Sequence, residues 1–192
     1  KNISLKLDWT TLTENYEPGS TSTIAARNNH SGWVRAKFSA EQYWRTGVYS
    51  SGYLVEGVFS NQPTFSNYYG TIINAPAFFP LQDSRTLLLQ NFRAFNYVAG
   101  GLRNVFSLQH SLDLRLEGYV FKPFESILPS ATQEARLSGD LTKVSLAGMP
   151  ALVLHSSIGP ISLSFNYYHD KESQFGLLLH IGYLLFPKTS IE

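Results

Sequence analysis

The sequence predicts an all-β protein, an antiparallel transmembrane β-barrel or half-barrel of about eight meandering strands. Three observations favour this fold class. Apolar and polar residues alternate with a period of two along most of the chain, which indicates strands with two chemically different faces. The alternating stretches are long, and the connections between them switch between short and long.

The first stretch shows the pattern clearly, because Ile3, Leu5, Leu7 and Trp9 alternate with polar residues. The predicted strands are residues 2–10, 33–44, 47–59, 94–106, 109–120, 140–155, 161–170 and 174–186. A tilted membrane strand needs roughly 9–11 residues, whereas an average soluble strand has about 5–6. Strand length therefore favours a membrane barrel.

Three interruptions of the pattern have local interpretations. Pro150 cannot donate to a β-ladder, so we expect a bulge or a sheet edge there. Gly100-Gly101 is interpreted as a kink that lets the sheet curve. The apolar run of residues 74–80 is expected to fold into the barrel interior, with Leu87-Leu88-Leu89 as a possible extra strand.

The predicted connections differ in length on the two sides of the sheet. Short turns are expected near residues 45–47, 107–108 and 157–159, and a brief one at 171–173. Long connections are expected at 12–31, 60–92 and 123–139. Short turns on one side and long loops on the other are typical of bacterial outer-membrane barrels. With an even strand number, both chain ends lie on the short-turn side.

Composition excludes several classes of protein. The formal charge of +1 lacks the basic excess of a nucleic-acid surface, so no nucleic-acid partner is expected. Without cysteine there is no disulfide framework. Charged residues make up 15%, against about 25% in typical soluble domains. The first residues do not resemble a signal peptide, so we expect the export signal to lie elsewhere.

Alternation alone does not say which face points inward. A soluble β-sandwich or lipocalin-like barrel would bury the apolar faces. Charged residues close together on the other face favour a wet lumen instead. So do aromatic residues near the strand ends, as in interfacial girdles. These aromatic residues are Trp9, Trp33, Tyr43, Trp44, Tyr167 and Tyr183.

No motif for catalysis or for metal or cofactor binding is present in the sequence, so we expect no cofactor and no enzymatic activity of this segment. The histidines have no metal-ligand spacing, and no nucleophile elbow or phosphate-binding loop occurs. His169-Asp170 is interpreted as a solvated strand end, and His180 as a lumen residue. Asp113 and Glu117 share a face with Arg115, which favours a structural ion network over an acid–base pair.

Several short motifs, in this order, give a family resemblance over roughly residues 45–192. Asn91-Phe92-Arg93-Ala94-Phe95 closes the longest loop, and five predicted strands follow. The chain continues with residues 112–119, 157–164 (with Gly159-Pro160) and 181–186. This order resembles the C-terminal half of the BamA-type barrel superfamily, the bacterial surface antigens. Ala75-Pro76-Ala77-Phe78, Leu185-Phe186 and Ser190-Ile191-Glu192 are most similar to the barrel of patatin-like outer-membrane proteins of the Bacteroides group.

The resemblance implies that residues 1–192 are an outer-membrane β-barrel domain at the C-terminal end of a longer protein. The family barrel has sixteen strands, so a second copy or the missing part of the polypeptide would complete the wall. By analogy, Arg93 reaches into the lumen and pairs with acidic residues such as Asp113 and Glu117. Ala94 stands where the wider family has Gly, so the loop motif departs from the family pattern at this position. A solvated Arg93 is the alternative.

The expected function is anchoring in outer-membrane lipid, with translocation or surface presentation of an attached domain such as a patatin-like lipid hydrolase. One rival is a free-standing small outer-membrane barrel with structural or adhesive loops. Another is a soluble barrel that binds an apolar ligand. A third is an enzyme acting through Asp113, Glu117 or His180.

Overall fold

The computed structural model describes residues 1–20, 25–139, 143–157, 159–170 and 174–182. The strands are β1 Asn2–Tyr16, β2 Arg27–Thr46, β3 Tyr49–Ser60, β4 Tyr97–Gln109, β5 Leu112–Pro123, β6 Ser126–Pro129, β7 Ala135–Ser138, β8 Ser145–Ser156, β9 Gly159–Tyr168 and β10 Phe175–Ile181. One α-helix, α1 (Tyr68–Asn74), and two short 3-10 helices lie between β3 and β4. No helix in these ranges is long and apolar enough to cross a membrane.

Eight strands form one antiparallel meander in the order β1-β2-β3-β4-β5-β8-β9-β10. Each strand is hydrogen-bonded to its neighbours in the chain, apart from the β6–β7 hairpin, which forms a separate two-stranded sheet. The prediction of about eight meandering antiparallel strands is therefore confirmed. The sheet is not closed, because β1 and β10 stand at its two edges.

Short turns join strands on one side of the sheet, as predicted, although their positions differ by a few residues. The β2–β3 turn is centred on Gly47-Val48, and the β4–β5 turn on His110-Ser111. The shift in the second turn accompanies a β-bulge between Ser107 and Gln109. The predicted turn at 171–173 and Ile158 of the third turn lie outside the described residues. β1 and β2 are longer than predicted, so their connection shrinks to 17–26.

The main sheet has two different faces. One, the open face, carries the apolar side chains of the alternating pattern. Its side chains remain strongly exposed, for example Leu177 at 73% and Leu163 at 47%. The other, the covered face, carries the charged residues and is packed against the connecting segment, residues 61–96, which joins β3 to β4. Since side chains alternate along each strand, one register places all eight strands in this arrangement.

The connecting segment, including Phe78 of the apolar run 74–80, folds onto the covered face of the open sheet. Phe78 and Phe92 are buried against Tyr97, Tyr119 and Phe121 of the sheet. The α1 helix packs separately against the β6–β7 hairpin through Tyr68, Ile72 and Ile127. These two clusters give the segment a hydrophobic attachment at both ends.

The predicted extra strand at residues 87–89 is wrong. These residues lie between the two 3-10 helices, Asp83–Arg85 and Gln90–Phe92, and Leu89 is buried in the core beneath the segment. The additional hairpin is instead β6–β7, inside the predicted 123–139 connection. An apolar triplet is compatible with a strand or with a packed turn. Here Leu89 packs into the core in a turn.

Two expectations for individual residues need correction. Pro150 lies inside the sheet opposite Leu116, and the β8–β9 register is the same on both sides of it, so no bulge forms. Its missing donor is accommodated by a gap in the pairing with β9 at residues 149–150. Trp33 is not in an exposed girdle, since it is buried on the covered face with its ring edge-on to Phe65. Tyr183 lies outside the described residues.

Gly101 is needed for packing on the covered face. It pairs directly with Tyr119 across β4 and β5, and the Tyr119 ring lies over it. A Cβ at Gly101 would overlap that ring and would lie 2.8 Å from the Gly118 carbonyl oxygen. Gly52 accommodates the Tyr43 ring in the same way across β2 and β3. Close approach of an aromatic ring thus adds a specific reason for Gly101 beyond a kink.

We predict that Gly101→Ala destabilises the fold by about 1–3 kcal/mol, because the added methyl group overpacks the Tyr119 ring. The matched control is Gly118→Ala on the neighbouring strand, where no atom lies within 4 Å of the new Cβ. Denaturant unfolding of both variants measures the difference. Equal loss of stability in the two variants would contradict the assigned role of the ring.

Candidate functional site

Opposite charges pair across neighbouring strands of the covered face. Lys37 Nζ lies 3.4 Å from Glu56 Oε2, between β2 and β3. Arg35 donates to Asp8 Oδ2 at 3.2 Å, between β2 and β1. These pairs arise because a covered-face position on one strand is opposite a covered-face position on the next. At these positions the covered face is a polar surface on which opposite charges meet across neighbouring strands.

The most developed of these groups surrounds Arg103 on β4. Glu117 is its cross-strand partner, and Arg103 Nε lies 3.6 Å from Glu117 Oε2. Arg103 Nε donates to the Tyr119 hydroxyl at 2.5 Å, and that hydroxyl donates to Glu117 Oε2 at 2.6 Å. The guanidinium also donates to the Tyr43 hydroxyl. The rings lying over Gly52 and Gly101 hold the two tyrosines beside the cation.

The structure does not bring Arg93 to Asp113 or Glu117. Its guanidinium donates to backbone carbonyl oxygens at the end of α1, at 3.2 Å to Ile72, 2.8 Å to Ile73 and 3.4 Å to Ala75. The last carbonyls of a helix have no partner within it, and a cation there is favourable. Burial lowers the pKa of Arg93, although an arginine stays protonated at neutral pH. Arg93 thus fixes the connecting segment internally.

The other predicted network residues fall into separate environments. Glu117 belongs to the Arg103 group. Asp113 lies at the short-turn end of β5, with its Oδ2 2.8 Å from His155 Nε2. Arg115 lies between them on the same face, and its Nε is buried without a hydrogen-bond partner. A shared face was visible in the sequence, but which carboxylate met which cation depended on the cross-strand register.

Sequence reasoning missed the central role of Arg103 and the polar attachment of the connecting segment. Arg103 alternates with the apolar residues Leu102 and Phe106, which puts it on the polar face of its strand. Its partner could not be read from the turn, because the β-bulge between Ser107 and Gln109 shifts the register and so places Glu117 opposite Arg103. No sequence pattern marked the polar attachment of the connecting segment to the sheet. The Asn91 N–H donates to Asp170 Oδ2 at 2.8 Å, and the Tyr168 hydroxyl donates to Asp83. These partners are about 80 residues apart in the chain.

This attachment overturns the interpretation of His169-Asp170 as a solvated strand end. His169 is exposed, but Asp170 is only 2% exposed and accepts the bond from Asn91. The Asn91 side chain also donates to the His169 carbonyl oxygen at 3.0 Å. A carboxylate can be buried here because it accepts a backbone hydrogen bond.

A cavity of about 430 Å³ lies between the connecting segment and the strands β4, β5, β8, β9 and β10. Its walls combine three arginines, one glutamate and several apolar side chains. The lining residues are Phe79, Pro80, Leu81, Gln82, Arg85, Thr86, Arg103, Arg115, Glu117, Met149, Ala151, Val153, Ser162, Ser164, Asn166 and Leu178. This mixture suits a ligand that has a polar group and an apolar body.

Within the described ranges, no group of three or more histidine, aspartate or glutamate side chains could hold a metal ion. His180, expected to face the lumen, lies on the covered face opposite Ser162. The comparisons with known proteins identify no relative, since the chain matches no family model, no curated protein and no solved structure.

We predict that Arg93→Ala loosens the connecting segment, because the carbonyls at the end of α1 lose charge-assisted bonds worth about 1.5–3 kcal/mol. Chymotrypsin should then cleave within residues 61–96 about tenfold faster or more. Arg136→Ala on the exposed surface of β7 is the control, with no change expected. If Arg93→Ala leaves the cleavage rate unchanged, these bonds do not hold the segment.

Proposed function

We propose that this chain forms part of the wall of a bacterial outer-membrane β-barrel and anchors an attached domain in the membrane. In this proposal the open face contacts acyl chains, and the covered face borders an aqueous lumen. The connecting segment occupies part of that lumen. Membrane anchoring is the primary function, with translocation or surface presentation of the attached domain as its consequence.

The observation that carries the proposal is the chemistry of the open face. Its Asp, Glu, Lys, Arg and His residues within the described strands of the main sheet are His30 and Lys122, both near strand ends next to long connections. On β8 the open-face residues of 146–154 are Leu146, Gly148, Pro150, Leu152 and Leu154. That span suits the roughly 9–11 residues of a tilted membrane strand. A large exposed apolar surface requires an apolar environment.

The covered face supports the same orientation. It carries the ion pairs Lys37–Glu56 and Arg103–Glu117, the second of which also bonds a tyrosine hydroxyl, and such groups suit a confined polar space. Trp9 and Trp44 remain exposed on the open face, where interfacial aromatic residues would be expected. Trp9 lies towards the long connections, and Trp44 lies next to the short turns.

The open edges of the sheet favour a larger barrel over a free-standing small one. β1 and β10 each pair with one neighbour only within the described residues. Unpaired backbone groups in hydrocarbon cost several kcal/mol each. We therefore propose that further strands complete the wall, from the same polypeptide or from a second copy of the chain.

The proposed attached domain rests on the resemblance to BamA-type barrels, and in particular to those of patatin-like outer-membrane proteins. A patatin-like lipid hydrolase is the attached domain that this resemblance favours. In this proposal any hydrolytic activity belongs to that domain, and these residues supply the anchor. The rival soluble barrel would bury its apolar side chains around a ligand, whereas Leu163 and Leu177 are exposed.

Neighbouring residues on β2 provide a test. We predict that Phe38→Arg, on the open face, lowers the stability of the folded chain in phosphatidylcholine vesicles by about 2–4 kcal/mol. The control Ser39→Arg places the same charge on the covered face opposite Glu56 and should cost much less. Urea titration of vesicle-bound protein, followed by protease resistance, gives both values.

Equal costs for the two substitutions would contradict the proposed orientation. So would a chain that stays monomeric and folded in buffer without detergent and does not bind vesicles.

A further inference from the structure

The cavity contains an arginine, Arg115, with a buried nitrogen that has no hydrogen-bond partner among the described residues. Arg103 interacts with Glu117 and two tyrosines, and Arg85 stacks over the Phe79 ring, 5.7 Å from its centroid. Arg115 Nε, by contrast, is buried without a hydrogen-bond partner. The two acids beside it on this face of β5, Asp113 and Glu117, are bonded to His155 and to Arg103. The lining as a whole holds three arginines against one glutamate.

Small side chains leave space next to Arg115. The register across the sheet places Arg115 opposite Ala151, Ala151 opposite Ser164, and Ser164 opposite Leu178. Alanine and serine are too short to fill the volume beside an extended arginine. The empty space therefore lies along the row of side chains that includes Arg115.

A second unsatisfied group faces the same space. Asn166 is 1% exposed and lines the cavity, and no described residue hydrogen-bonds its Oδ1. A buried polar atom without a partner costs about 1–3 kcal/mol. The Asn166 amide can accept a bond from a ligand hydroxyl, or donate to an anion after a rotation of its side chain. Two such atoms in one cavity indicate a site for a polar group.

The rest of the lining is apolar, with Leu81, Met149 and Val153 in the walls. An arginine fork matches the geometry of a carboxylate or phosphate. We propose that the cavity binds an anionic amphiphile, with its carboxylate or phosphate group held by Arg115 and its short alkyl chain against these apolar residues. This site goes beyond the anchoring function, and only its test in nanodiscs rests on the proposed membrane insertion.

The test uses the full 192-residue chain, folded in phosphatidylcholine nanodiscs, and fluorine NMR of three probes. The probes are 8,8,8-trifluorooctanoate, the corresponding alkyl phosphate and the corresponding alcohol. We expect saturable binding of an anionic probe and weaker binding of the alcohol. Comparison of carboxylate with phosphate identifies the head group. Binding of all three probes with equal affinity, or partition into lipid alone, would overturn the proposal.

Variants locate the site. Arg115→Gln should weaken binding of the anionic probe about tenfold or more, since a charge-assisted hydrogen bond is lost. Arg45→Gln is the control, because Arg45 bonds the Gly47 carbonyl at an exposed turn and does not line the cavity. Ala151→Leu keeps Arg115 but fills the space, and should abolish binding. Unchanged binding in folded Arg115→Gln or in folded Ala151→Leu would place the ligand elsewhere.

Discussion

The structure depends on the cross-strand register of eight antiparallel strands, in which the bulge between Ser107 and Gln109 lies next to a turn. A shift by one residue in any strand would exchange its two faces. Leu163 would then point towards the cavity, and Ser164 would point outward. The register also sets every ion pair on the covered face, since Arg103 meets Glu117 only because the two residues are direct cross-strand partners. The chemistry of both faces therefore follows from this single constraint.

The connecting segment stabilises the covered face both by apolar packing and by hydrogen bonds. Phe78 and Phe92 bury apolar surface against the sheet, while Asn91 bonds the buried Asp170. Within the segment, Arg93 bonds the carbonyl oxygen of Ile73 and so ties the end of α1 to the residues that precede β4. The segment leaves one region unfilled, beside Arg115, where the sheet carries alanine and serine. The cavity is thus the part of the covered face that neither the sheet nor the segment fills.

Much of the sheet could be predicted from the sequence, because period-two alternation directly reports a strand with two different faces. That is why all eight long strands were located, although β1 and β2 extend into residues that lack clear alternation. The prediction of an extra strand at 87–89 was wrong because an apolar triplet does not distinguish a strand from a packed turn. The predictions that Trp33 and Asp170 are exposed were wrong for another reason. Their burial depends on partners distant in the chain, Phe65 and Asn91. The predicted pairing of Arg93 with acidic residues was wrong because its acceptors are backbone carbonyls, which no sequence motif marks.

The central claim is that the open face contacts acyl chains, and because the chain has no cysteine, a single introduced cysteine can test it. A fluorescent label on Leu163→Cys, in vesicles whose lipids carry brominated acyl chains, should be strongly quenched. The same label on Ser39→Cys, on the covered face, should be quenched little and should remain open to an aqueous quencher. Equal quenching at the two positions, or efficient aqueous quenching at Leu163→Cys, would contradict the account.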